Sequence, residues 1–203
     1  MIRPLSALIV SYLVNMGAIT NSNDDKEYYQ YGVEITISSF LNIFLILCLG
    51  TALHKINYAI VFLAVFISLR HLTGGFHAST YFKCNLSMCI VFILDIFSNE
   101  IIHSYFIALT FIVHILLSSL VILVYCPVEN KNKPIPDECV WKYKISALIL
   151  SHTFSIIGWI LFRNNIDIGL FMIMTIIYIH ILVVVSKLIR EEEKHESKYQ
   201  RGV

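Results

Sequence analysis

Residues 168–186 read IGLFMIMTIIYIHILVVVS, nineteen positions free of Asp, Glu, Lys and Arg. A helix of that length reaches about 28 Å, close to the ~30 Å of hydrocarbon in a bilayer. Three more charge-free stretches are of spanning size: Ile35–His54, Ile101–Val128 and Ile145–Phe162. Two shorter ones, Ile56–Leu69 and Cys84–Leu94, flank a polar, glycine-bearing segment from Arg70 to Lys83, so each must borrow flanking residues to cross. The runs are too continuous for the alternation of a barrel strand, and lipid offers unpaired backbone groups no partner, so helices are the expected spanning form. The expected fold is all-α: a polytopic membrane protein of six transmembrane helices.

Composition points the same way. The chain has 203 residues, 57% hydrophobic against 14% charged, too apolar for an ordinary soluble domain. A net charge of +1, with no basic block interleaved with aromatics, excludes nucleic acid as a main partner. The five cysteines are odd in number and fall mostly inside or beside apolar stretches, as expected of free thiols in a reducing compartment.

Outward from the core, Leu5, Leu8, Ile9, Tyr12, Leu13 and Met16 recur at helical spacing and predict an amphipathic helix over residues 1–20 that lies in the membrane interface. A signal peptide competes with this reading, but only Arg3 precedes the apolar stretch and no small-x-small cleavage site is clear. Asn21–Tyr31 (NSNDDKEYYQY) reads as a polar connector, residues 32–189 as the six-span core, and 190–203 as a solvated, frayed helix end in a cytoplasmic tail. Together they form one domain. Six spans with both ends on one side collect thirteen of the fifteen Lys and Arg residues there and leave only Lys55 and Arg163 opposite. The positive-inside rule then puts both termini, the Arg70–Lys83 segment and the Cys126–Trp141 loop at the cytoplasmic face.

The chemistry is expected in RHLTGGFHASTYFKC, residues 70–84, where two histidines, a cysteine, an arginine and three Ser/Thr hydroxyls crowd beside lipid. Polar groups there are costly unless used or paired. A thiol is a strong nucleophile, and an imidazole beside it can take its proton and return it to a leaving amine, so His77 and Cys84 are candidates for an acyl-transfer dyad. On one unbroken helix their seven-residue separation is a rise of roughly 10 Å against the roughly 3 Å a proton transfer needs. The helix must therefore break between them. Gly74-Gly75 permits the break and Ser79 or Thr80 can cap a new start, which would set Cys84 in the first turns of a helix beginning near residue 80, beside the cation Arg70. Cys48, Cys89 and Cys126 are expected to be packing residues, and Cys139, in an exposed loop with Asp137 and Glu138, a poorer nucleophile.

Two other classes stand beside this one. His103 and His114 share a helix face and His152 and His180 lie in the last two spans; inward-facing pairing explains them, although buried histidines in six spans also suit a peptide transporter. Absence of internal repeats speaks against the transporter. A zinc hydrolase built on His71, His77 and Cys84 is the third reading, but no HxxxH or CxxC spacing supports it, and no metal or other cofactor is expected.

The block RHLTGGFHASTYFKC, the later YCPVENKNKPIP (125–136) and the Gly32-x-Glu34 pair resemble the AgrB-like accessory gene regulator proteins, membrane cysteine endopeptidases of Gram-positive bacteria, and the likeness runs over nearly the whole chain. The resemblance implies a protease of the cell membrane that trims the C-terminal tail from an AgrD-type precursor peptide on the way to a cyclic quorum-sensing signal. His77 and Cys84 match the family's catalytic positions, and Arg70, Gly75 and Glu34 fall in the matching motifs. The implied mechanism holds the peptide as a thioester on the cysteine until a nucleophile in the substrate closes a thiolactone. One thioester exchanged for another is close to balanced, provided that water is kept out by a pocket walled by Phe76, Tyr81 and Phe82. Ser79 is a further supporting candidate, and Arg70, Lys83, Lys131 and Lys133 would draw a negatively charged tail while also meeting anionic lipid. The oligomeric state stays open, a homodimer being in keeping with small helical membrane enzymes.

Overall fold

Helix after helix forms where the apolar stretches lie. A computed structural model describes residues 2–20, 22–74, 81–102, 108–128 and 135–201. It contains α1 (Ile2–Asn15), α2 (Asn23–Ala52), α3 (Ile56–Thr73), α4 (Tyr81–Ile102), α5 (Ala108–Tyr125), α6 (Asp137–Arg163) and α7 (Ile168–Arg201). Among the described residues the only pairing of strand type is an isolated bridge between Gly74 and Val128. α2, α3, α4, α6 and α7 are each long and apolar enough to cross a membrane, and α5 is a shorter apolar helix.

Several boundaries differ from those the charge count predicts. α2 starts at Asn23, with the Ser22 hydroxyl accepting from the Asp25 amide at 3.2 Å, so most of the polar "connector" is helix. Polarity marked exposure there, not loss of helix. α4 runs through Asp95 to Ile102, absorbing Ile101–Ile102 from the predicted next span; α5 begins at Ala108. The Cys126–Trp141 loop is shorter than expected, because Pro136 fixes the entry to α6 and Asp137 and Glu138 suit the positive end of its dipole. Cys139 therefore lies in a helical turn. α7 continues as helix to Arg201 through the Glu- and Lys-rich tail, residue types with good helix propensity.

α7 sits at the centre, packed against α3, α4, α5 and α6. Phe62, Phe66, Phe92 and Phe171 form its aromatic contact with α3 and α4, with ring centroids 5.0 Å apart for Phe62 and Phe66 and 5.2 Å for Phe62 and Phe92. α6 and α7 cross at Gly158 and Gly169, where a methyl on Gly158 would lie 2.7 Å from the Gly169 carbonyl oxygen; small residues allow this backbone approach without water-driven collapse. Large apolar side chains such as Phe40, Phe44, Phe97, Leu116 and Ile149 point outward, as lipid-facing residues do.

Several polar side chains inside the bundle pair across helices. His114 Nε2 lies 3.0 Å from Ser155 Oγ, His152 Nε2 2.9 Å from Ser119 Oγ, and Ser118 Oγ 3.1 Å from Ser151 and 3.5 Å from His180. The inward direction expected of these histidines holds, with serines as partners; His103 falls outside the described residues. Asp95, fully buried, accepts from the Thr175 hydroxyl at 2.6 Å and joins α4 to α7. α1 packs on α2 through buried Ser6 and Val10, while Leu5, Leu8, Tyr12 and Met16 stay exposed, an apolar stripe turned toward the surroundings.

Candidate functional site

One end of the bundle gathers the C-terminal ends of α3 and α5 with the N-terminal ends of α4 and α6. α3 stops at Thr73 because Gly74 adopts φ +69°, ψ −154°, a conformation that essentially only glycine takes, while its N–H still donates to the Arg70 carbonyl at 3.1 Å. The Val128 N–H donates to the Thr73 carbonyl at 2.9 Å, and a methyl on Gly74 would collide with the Val128 carbonyl oxygen. This contact joins the end of α3 to the segment after α5. Gly74 and Val128 therefore meet at one point. Lys144 Nζ adds a bond to the Leu123 carbonyl at 2.6 Å, pinning the start of α6 against the end of α5.

Cys84 is the fourth residue of α4 and half-buried. The predicted helix start near residue 80 is observed at Tyr81. Arg70, in the last turn of α3, lies within electrostatic range of the Cys84 thiol and sits over the Phe66 ring, 5.4 Å from its centroid. His77, Gly75, Ser79, Lys131 and Lys133 lie outside the described residues, as do Phe76 and the turn expected to fold His77 onto Cys84.

Glu34 is buried in α2. Its Oε1 accepts from Ser6 Oγ and Gln30 Nε2, each at 3.2 Å, and its Oε2 accepts from the Tyr81 hydroxyl at 2.9 Å. One turn further along both helices, Ser38 Oγ donates to Asn85 Oδ1 at 3.1 Å. Sequence reasoning singled out Glu34 but missed Ser6, Ser38 and Asn85; it took Tyr81 for a pocket wall, whereas its hydroxyl makes a bond. Phe82 is 74% exposed.

The other thiols divide by environment. Cys126 is 3% exposed and packed with Ile122 and Val128, and Cys89 is half-buried against the aromatic core, both as expected; Cys48 is exposed on α2, which corrects its reading as a packing residue. Among the described residues no three His, Cys, Asp or Glu side chains are placed to hold a metal ion.

Several apolar helices around this polar end define a multi-pass membrane protein. The family model for accessory gene regulator B (AgrB) matches residues 6–187, and the chain belongs to that family. The accessory gene regulator protein B of Staphylococcus aureus (strain Newman) is 31% identical over 141 residues, covering 68% of this chain and 67% of that one. An AgrB-like protein 2 of Clostridium perfringens (strain 13) is 29% identical over 150 residues, and the accessory gene regulator protein B of Staphylococcus saprophyticus is 26% identical over 149. The chain spans 66% of the length of that C. perfringens relative, 68% of itself being matched, and 76% of the S. saprophyticus one, with 71% of itself matched. No solved structure matches the chain.

Proposed function

We propose that this protein is a membrane cysteine endopeptidase that removes the C-terminal tail of an AgrD-type precursor peptide and passes the remainder on as a thioester for cyclisation to a quorum-sensing thiolactone. The observation that carries the reading is the position of Cys84: a half-buried thiol in the opening turns of α4, within electrostatic range of Arg70, at a polar end of the bundle. Membership of the accessory gene regulator B family supports it, the sequence resemblance being what assigns His77 and Cys84 to catalytic positions.

In this reading Cys84 Sγ attacks the scissile carbonyl carbon while His77 takes the thiol proton. The carbon–nitrogen bond breaks, His77 returns the proton to the departing amine, and the peptide stays on Cys84 as a thioester. A thiol within the peptide then attacks that thioester carbonyl, closes the ring and restores the Cys84 thiol. The N-terminal end of α4, one turn from the sulfur, turns the positive end of its dipole toward the developing oxyanion. Lys131 and Lys133 draw the acidic tail, and Gly75 and Ser79 support the dyad. The site faces the cytoplasm, with both termini on the same side.

Alkylation tests this directly. Iodoacetamide applied to the protein in proteoliposomes should modify Cys84 and stop precursor cleavage in proportion, while Cys126, closed off by packing, stays unmodified. A chelator should leave cleavage intact. Full cleavage by protein alkylated at Cys84, or silencing by the chelator alone, contradicts the proposal and in the second case favours the zinc hydrolase.

A further inference from the structure

Three elements converge on one buried carboxylate. Glu34 is 6% exposed, and its donors come from α1 (Ser6), from its own helix (Gln30) and from the first residue of α4 (Tyr81). The Ser6 hydroxyl also reaches the Arg3 carbonyl at 2.8 Å, so its single hydrogen is shared, and Tyr81 makes the shortest of the three bonds. A hydroxyl donating to a carboxylate is among the stronger hydrogen bonds a side chain makes. Removing a partner from such a group leaves an oxygen with nothing to accept from.

The second bond gives the first its geometric meaning. Glu34 to Ser38 and Tyr81 to Asn85 are each four residues, about one helical turn. Ser38 and Asn85 are both buried and bonded at 3.1 Å. α4 is therefore held to α2 at two successive turns, and two bonds a turn apart set both its rotation about its axis and its register along it. Cys84 lies between them in sequence, set off from Tyr81 by roughly 60° around the helix at about 100° per residue. That offset puts it on the flank of the bonded face, where even a small rotation of α4 would move its sulfur relative to Arg70.

We propose that Tyr81 and Glu34 are positioning residues: their hydrogen bond sets the rotation and register of α4 that present the Cys84 sulfur to the scissile carbonyl, with the interfacial helix α1 tied into the same contact through Ser6. The proposal rests on the peptidase reading of Cys84 and adds to it a part played by residues that touch neither substrate nor sulfur. Burying a carboxylate costs stability unless the contact does something in return, and packing alone would be met by an apolar pair at the same two positions.

The test uses the full chain in proteoliposomes with an AgrD-type precursor. Tyr81→Phe removes one oxygen and keeps the ring. A displacement of about 1 Å at a reacting atom costs up to about 10²-fold, so kcat should fall between about 10- and 100-fold with KM within about twofold of the parent. Glu34→Gln, which keeps an acceptor for the Tyr81 hydroxyl, should retain more kcat than Glu34→Ala, and Tyr81→Phe should add little further loss to Glu34→Ala because the pair acts as one unit. The rate at which iodoacetamide modifies Cys84 without peptide should change in Tyr81→Phe, a readout that needs no turnover. Parental kcat in Tyr81→Phe, a rise in KM with kcat unchanged, fully additive losses, or an unchanged alkylation rate would each overturn the proposal. Cys84→Ala in the same assay separates the two levels. If it still cleaves, the peptidase reading fails; if it is inert while Tyr81→Phe is normal, only the positioning role fails.

Discussion

Cys84→Ala is expected to abolish release of the precursor's C-terminal tail, by about 10³-fold or more, which corresponds to about 4 kcal/mol of lost transition-state stabilisation. Three of the other described thiols are not placed to substitute for it. Cys89 is packed against the aromatic core, Cys126 is enclosed by Ile122 and Val128, and Cys48 lies on the outer surface of α2. Because Cys84 is only half-buried, truncating it leaves a small void, and the variant should insert and melt close to the parent. The check is precursor cleavage in proteoliposomes alongside a detergent melting curve. Loss of cleavage together with collapse of the melt would instead mark Cys84 as a structural residue.

Gly74→Ala should be the most damaging single methyl near the site. Two costs combine: a side chain is forced into φ +69°, ψ −154°, and its Cβ is driven into the Val128 carbonyl. Each is of order 1–3 kcal/mol, so about 3 kcal/mol of destabilisation is expected, with cleavage reduced at least tenfold. Activity falls because the Thr73–Val128 bond joins the two chain positions that border, in sequence, the stretches carrying His77, Lys131 and Lys133. Melting temperature and cleavage rate measured on the same preparation check this; an unchanged pair of values would show that the anchor is dispensable.

The parts of this architecture that repeat locally were legible in the sequence. Apolar runs gave the spanning helices, the spacing of Leu5, Leu8, Tyr12 and Met16 gave α1, and Gly74-Gly75 marked the end of α3, with a new helix starting at Tyr81 beside the predicted position. Charge was a poorer guide. Asn23–Tyr31 is helical despite its polarity, since exposed acids and bases do not oppose a helix, and Asp95 sits inside α4 because Thr175, eighty residues away, supplies a donor. The direction of Phe82 and the partners of Glu34 depend on which helices become neighbours. Ser6 and Tyr81 lie 28 and 47 residues from Glu34, and no periodicity links them. The Arg70–Cys84 encounter was foreseeable on chemical grounds, because both residues lie at the ends of helices joined by a short break.

The most direct measurement is the intact mass of the protein after rapid acid quench with its precursor, followed by peptide mapping. The account predicts a transient adduct equal to the precursor minus its released tail, labile to hydroxylamine as a thioester should be and carried on Cys84. Cleavage that proceeds with no adduct at any time, or an adduct on a different residue, would contradict it.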